Sequence, residues 1–299
     1  IGPAYADKFA RTGIRVVDLL DRDVLRTKLT RAIEAKNALL KQVYGANQLD
    51  VDAIVEEYVE LDQKIDPYVT DTAQLLGRAL DNDKHVLAEG AQGSLLDIDF
   101  GSYPFVTSSH PTAGGCSTGL GVSPVHVNRI IGIAKAYCTR VGNGPFPTEL
   151  ENEMGEHLRK VGAEFGATTG RPRRCGWLDL VALRYTTMIN GFTELVITKL
   201  DVLSGLDEIK VCVAYQYDGK ETQRFPSEAH TLERITPVYE TLPGWDEDIS
   251  DARHWSDLPA AAQDYLRFVE EHSRAPIGSV SIGPRRDQII SDVSEAPVA

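Results

Sequence analysis

Four stretches of this chain concentrate side chains able to do chemistry. In Ala167-Thr168-Thr169-Gly170-Arg171-Pro172-Arg173-Arg174, three arginines fall within four residues, next to two threonines and a glycine. Guanidinium groups grip carboxylates and phosphates through paired hydrogen bonds. A charge run is ordinarily a solvated face, but the flanking Thr-Thr-Gly and Gly-Trp favour a shaped anion-binding loop. In Glu89-Gly90-Ala91-Gln92-Gly93-Ser94-Leu95-Leu96-Asp97, glycines let backbone approach a ligand, and Gln92 can both donate and accept. A plain tight turn is the alternative. The run Tyr103-Pro104-Phe105-Val106-Thr107-Ser108-Ser109-His110-Pro111-Thr112-Ala113-Gly114-Gly115 offers hydroxyls and backbone donors suited to a phosphate. A Ser/Thr-rich surface loop would read the same way, and His110, placed before a proline, is given no catalytic role. Thr198-Lys199-Leu200-Asp201 ends an apolar run. A carboxylate there can accept from both N1–H and the exocyclic amine of guanine, while the lysine stem covers the ring. An exposed strand end is the plainer account of those four residues.

Composition narrows the partners. The chain has 299 residues, long enough for one large domain or two modest ones. Its net charge of -13 argues against nucleic acid or an anionic membrane, both of which need a basic surface. The four cysteines, Cys116, Cys138, Cys175 and Cys212, are widely spaced and form no C-x-x-C pair. Reduced thiols and a cytoplasmic location are therefore expected.

The elements that must position these groups follow from periodicity. Apolar spacing predicts a helix from Asp23 to about Tyr44 with Asp23 as N-cap, a second capped by Asp50, and a third from Asp71 to Leu80. His85-Val86-Leu87-Ala88 reads as a buried strand entering the glycine-rich loop. Ile130–Tyr137, Leu195–Thr198, Val211–Ala214 and Val280–Ile282 read as strands, Ile130–Tyr137 alternatively as a helix–strand junction. Met154–Val161, Leu178–Met188 and Ala260–Glu271 read as helices. Asp218-Gly219 signals a hairpin. The alternation predicts an α/β protein with a mostly parallel central sheet and flanking helices. Residues 1–84 are expected to form a mainly helical subregion, and 85–299 the α/β portion of the same domain.

Together and in this order, the four segments resemble the adenylosuccinate synthetase family. The resemblance runs from Ile1-Gly2-Pro3-Ala4-Tyr5-Ala6-Asp7-Lys8 to Val280-Ser281-Ile282-Gly283-Pro284, with Glu164-Phe165-Gly166 leading into the arginine loop. It implies a P-loop-NTPase-like fold and GTP-dependent joining of IMP to L-aspartate through a 6-phosphoryl-IMP intermediate, with Mg2+ as cofactor. It also implies site residues. Gln92 would lie against the purine six-position in a supporting role, and Thr107 would hold the 5′-phosphate of IMP. Arg11, in a segment contributing to a homodimer, would reach the neighbouring subunit's IMP. Ala167, Thr168, Thr169, Gly170, Arg171 and Arg173 would capture aspartate, with Arg171 also near IMP and Arg173 near GTP. Lys199, Leu200 and Asp201, with Ser281, Ile282 and Gly283, would read guanine.

The family's glycine-rich phosphate loop, its acidic base and magnesium ligand, and its histidine acid have no counterpart in these 299 residues. The expectation is that they precede Ile1, and that this polypeptide alone is inactive. A non-catalytic guanine-nucleotide-binding or dimerisation fragment is the alternative reading.

Overall fold

The structure is a computed structural model that describes residues 1–166, 170–226, 228–291 and 293. The chain divides into two compact units, Ile1–Ala88 with Leu120–Val122, and Glu89–Gly119 with Ser123–Ala299.

The first unit is helical: α1 (Gly2–Phe9), α2 (Arg22–Gln42), α3 (Val51–Ile65) and α4 (Thr72–Asp81). Apolar residues at helical spacing make its core, where Leu25, Leu29 and Ile33 of α2 meet Val55 of α3. Asp50 caps α3 as the sequence suggests, and Asp71, read there as the start of the third helix, is the N-cap of α4. The cap of α2 is Asp21, not Asp23: its carboxylate accepts from the backbone N–H of Asp23 and Val24, placing Asp23 inside the first turn. His85–Ala88 is not a buried strand. All four residues are exposed, and no strand among the described residues pairs with them. A short apolar run becomes a strand only when a neighbour takes up its N–H and C=O groups.

The second unit carries α5 (Gly114–Leu120, its last residue assigned to the first unit), β1 (Ile131–Lys135), β2 (Cys138–Arg140), α6 (Glu153–Val161), β3 (Arg174–Gly176), β4 (Leu178–Asp179), α7 (Leu180–Asn190), β5 (Glu194–Thr198), β6 (Leu206–Tyr217), β7 (Lys220–Thr222), α8 (Ala229–Leu232), β8 (Thr236–Trp245), α9 (Ala260–Ser273), β9 (Ile277–Ser281) and β10 (Ile289–Ile290). The central sheet has the order β1-β5-β9-β10. β1, β5 and β9 run parallel and β10 is antiparallel at the edge, giving the expected α/β architecture with a mostly parallel sheet. Buried Leu195, Ile197, Val280 and Ile282 fill its core with Tyr265 and Leu266 of α9.

Leu178 and Asp179 belong to β4 rather than to a helix. Asp179 instead caps α7, accepting from the Ala182 N–H at 3.0 Å. β6 pairs antiparallel with β8 and β7, and the β6–β7 turn is Asp218-Gly219. Both turn residues have positive φ, 47° and 73°, as a type I′ hairpin requires. No helix among the described residues is long and apolar enough to cross a membrane.

Candidate functional site

Parallel strands release their loops at one shared edge, and in open α/β sheets ligands bind beyond the carboxyl ends of the strands. The register fixes what meets there. Lys135 of β1 lies opposite Thr198 of β5, and Ile197 lies opposite Val280 of β9. The residues that follow, Ala136-Tyr137, Lys199-Leu200-Asp201 and Ser281-Ile282-Gly283, therefore leave the sheet side by side. Lys199 takes a left-handed backbone (φ 65°), and its ammonium donates to the Gly162 carbonyl at 2.6 Å. Leu200 is buried beneath. One Asp201 carboxylate oxygen, Oδ1, is buried with no hydrogen-bond partner, and burial raises the acid's pKa. An unpartnered buried carboxylate oxygen is costly in isolation and becomes favourable once a ligand donates to it. Ser281 Oγ donates to the Gly283 carbonyl at 3.0 Å, and the N–H of Ile282 donates to the Gln288 carbonyl at 3.0 Å. Gly283 lies so close to Gln288 that a Cβ there would be 2.3 Å from its Oε1.

The arginine loop reaches the same edge through Glu164. This carboxylate is fully buried and accepts from Lys135 Nζ (2.7 Å), Tyr137 OH (2.7 Å) and Arg173 Nη1 (2.6 Å). Burial pushes its pKa up, but the three donors outweigh that and hold it below the usual carboxylate range. Burial lowers the pKa of Lys135 despite its pairing with Glu164. The three arginines have different surroundings. Arg174 grips Glu149 with two nitrogens and donates to the Gly144 carbonyl at 2.8 Å, so it braces the framework. Arg173 is partly exposed beyond its Glu164 contact, and Arg171 is exposed. Gly170 has φ 64° and donates its N–H to the Gly166 carbonyl. Ala167, Thr168 and Thr169 lie outside the described residues.

Gln92 and Thr107 stand in a second cluster of the same unit, organised by Asp97. Asp97 is fully buried. Its Oδ1 accepts from the N–H of Asp99 (2.9 Å) and Phe100 (3.3 Å), and its Oδ2 from the Thr112 hydroxyl (2.8 Å). Burial opposes ionisation, but these donors hold its pKa below the ordinary value. Thr107 donates its N–H to the Leu96 carbonyl at 2.8 Å, and its hydroxyl lies 3.3 Å from that of Ser109. Asn190 of α7 ties the cluster down, donating to Ser94 Oγ and accepting from the Ala113 N–H. Gln92 is exposed with φ 64°. Asp97, Asp99 and His110 are near enough to suggest a metal site. Mg2+ prefers oxygen ligands, and one of these three groups is an imidazole. Both Asp97 oxygens are committed to the loop, and no magnesium ligand is assigned among the described residues.

Arg11 lies in the first unit, exposed, with φ 61°. A hollow in that unit lined by Leu75, Arg78 and Lys84 contains no candidate residue. Among the described residues, seven non-glycine residues have positive φ, and Arg11, Gln92 and Lys199 are three of them. Such conformations are sparsely populated and tend to collect at functional sites. Asp97 and Glu164 were not singled out by sequence reasoning. The available signal was Lys135, a cation ending an apolar strand and so in need of a buried counter-charge.

The sheet edge, the unsatisfied carboxylate and the cationic loop mark an α/β protein with a candidate ligand site beyond the carboxyl ends of its strands. The comparisons narrow it further. The family model for adenylosuccinate synthetase matches residues 1–290, and the chain belongs to that family of purine-biosynthetic ligases. It is 72% identical over its full length to the adenylosuccinate synthetase of Salinibacter ruber, of which it covers 68%. It is 57% identical over 290 residues to that of Chlorobaculum tepidum, covering 67%. The structure of fully ligated adenylosuccinate synthetase from Plasmodium falciparum superposes with a TM-score of 0.92 at 39% identity, over 97% of this chain and 69% of that one. The chain thus spans about two thirds of the length of these relatives.

Proposed function

We propose that these residues form the guanine-, IMP- and aspartate-binding part of a GTP-dependent adenylosuccinate synthetase acting in the cytoplasm. The observation that carries this is the unpartnered Asp201 oxygen beside Lys199 at the carboxyl edge, with Arg173 joined to that edge through Glu164. Asp201 accepts from the N1–H and exocyclic amine of guanine, Lys199 flanks the base, and Ser281, Ile282 and Gly283 border it. Gln92 faces the six-position of IMP and Thr107 its 5′-phosphate. Arg171 and Arg173, with Ala167, Thr168, Thr169 and Gly170, take the two carboxylates of aspartate.

IMP gives up its N1 proton as its 6-oxygen takes the γ-phosphoryl group of GTP, leaving GDP. The aspartate amine then attacks C6, phosphate departs with the oxygen, and the nitrogen loses a proton. Magnesium, when bound, neutralises and aligns the transferring phosphates. Arg11 serves the IMP site of a second copy, and exposed Phe9, Val17 and Tyr44 give the first unit apolar surface for a homodimer.

The test is steady-state kinetics on the complete enzyme with Arg171→Ala and Arg173→Ala. Both are expected to raise the aspartate KM sharply, Arg173→Ala affecting the GTP requirement more. Aspartate dependence unchanged in both would remove the loop from the site. The 299-residue polypeptide assayed alone with saturating IMP, GTP, aspartate and magnesium is expected to give no product. Turnover near that of the complete enzyme would overturn the proposed division of labour. Mixing Arg11→Ala with Thr107→Ala subunits is expected to restore part of the activity. A mixed dimer as inactive as its parents would confine Arg11 to its own subunit.

A further inference from the structure

Glu164 stands at the neck of the arginine loop, and two sets of contacts make it a hub. Through its side chain it binds Arg173 with Oε2, and Lys135 and Tyr137 with Oε1. Through its main chain it closes the loop: the Arg173 N–H donates to the Glu164 carbonyl at 2.9 Å, and the Gly166 N–H to the Arg171 carbonyl at 2.8 Å. Phe165 bridges Pro172 between them. Arg159 adds a clamp from α6, donating Nε to the Arg173 carbonyl at 2.8 Å. The Tyr137 hydroxyl fits because residue 162 is glycine; a Cβ there would sit 2.1 Å from it. That same Gly162 carbonyl accepts from Lys199.

The Arg173–Glu164 contact uses one guanidinium nitrogen. The Arg173 side chain keeps 29% of its surface exposed, against none for Glu164. Its remaining donors can therefore meet a ligand while one corner is held. Charge points the same way: Glu164 carries one negative charge between Lys135 and Arg173, so the trio keeps a net positive charge. Without Glu164, two neighbouring cations would repel, and Arg173 would lose the contact that sets its rotamer.

We infer that Glu164 is a positioning residue that presets Arg173 for the carboxylate of the incoming amino acid. This rests on the assignment of Arg173 to aspartate made above. Preset donors bind without the cost of ordering a long side chain at the moment of binding. Loss of that preset order weakens capture of the carboxylate rather than the chemical step.

The experiment uses the complete enzyme with Glu164→Gln, Arg173→Ala, the double variant and Tyr137→Phe. Glu164→Gln is expected to raise the aspartate KM about tenfold or more, with kcat and the IMP KM changing less than about threefold. In the Arg173→Ala background, the same change is expected to add no further rise, because its only route to aspartate is then gone. Glu164→Asp keeps the charge and is expected to recover part of the loss. Should Glu164→Gln fail to fold, Tyr137→Phe removes one of its donors, and a smaller rise confined to the aspartate KM is expected. An aspartate KM left unchanged by folded Glu164→Gln, or by Tyr137→Phe where Glu164→Gln does not fold, would overturn the positioning role while Arg173→Ala still raises it. Additive effects in the double variant would overturn it as well. An Arg173→Ala enzyme with normal aspartate dependence would instead overturn the assignment of Arg173, and the positioning role with it.

Discussion

Asp97 and Glu164 are both fully buried carboxylates with pKa values held below the usual range, yet they organise their loops with opposite kinds of partner. The strongest contacts of Asp97 are neutral donors: the N–H groups of Asp99 and Phe100 and the hydroxyl of Thr112. Two of the three donors to Glu164 are cations, Lys135 and Arg173. Neutral donors hold the carboxylate in a rigid turn and add no positive charge to it. Cationic donors leave a positive excess facing outward. The first arrangement suits a loop that must hold a shape around Gln92 and Thr107, and the second a loop that must attract anions.

The comparison can be strained most severely at Asp97. Asp97→Ala leaves the buried Thr112 hydroxyl and two partly buried N–H groups without their acceptor and is expected to cost about 2 kcal/mol or more, read as a fall in the urea midpoint of the complete enzyme. A midpoint within a few tenths of a molar of the parent would mean that Asp97 does not organise its loop. Asp201 offers the reverse case, since its Oδ1 has no partner to lose. Asp201→Asn is expected to leave stability unchanged or slightly raised while weakening GTP roughly a hundredfold and tolerating a xanthine nucleotide better. Equal preference for GTP in variant and parent would take Asp201 out of the base site.

pH separates the two kinds of carboxylate next. Asp97 and Glu164 have depressed pKa values, so their stabilisation is complete above the unfolded value of about 4 and is lost as pH falls through the lower folded value. Asp201 has a raised pKa, and in the proposed base site it must be ionised to accept from guanine. GTP affinity is therefore expected to fall on acidification while the protein is still folded, in a titration followed alongside circular dichroism. Affinity that declines only together with unfolding would contradict this. The smallest effect is ionic. Raising salt from 50 to 300 mM is expected to weaken aspartate binding a few-fold and to leave the Asp97→Ala stability difference unchanged. Equal salt sensitivity in both would erase the distinction between the loops.

Much of the framework was legible because it is local. Asp50 and Asp71 announce their helices, and the apolar runs at Leu195–Thr198 and Val280–Ile282 are two of the three parallel strands that carry the edge. The Asp21 cap was missed because two aspartates stand two residues apart before the same helix, and only backbone geometry chooses between them. His85–Ala88 misled because a strand is defined by a partner that sequence does not show. The two hubs were missed for a related reason. Glu164 draws a donor from Lys135, 29 residues away, and Asp97 from Thr112, 15 residues away. The arginine triplet looked uniform in sequence, but Glu149 claims Arg174 for the framework.

The left-handed backbone at Arg11, Gln92 and Lys199 sets a trap for thermostability engineering. Glycine adopts that conformation freely, whereas another residue is penalised by about 1 kcal/mol or more. A library screened only for heat resistance would therefore enrich glycine at Asp83, Ala163 and Arg274, which have the same geometry, and equally at Arg11, Gln92 and Lys199. The first three changes are expected to leave catalysis intact, while the second three would deliver robust proteins with a dead site. A second sort for turnover would then divide the left-handed positions into those that only turn the chain and those whose side chains the reaction needs.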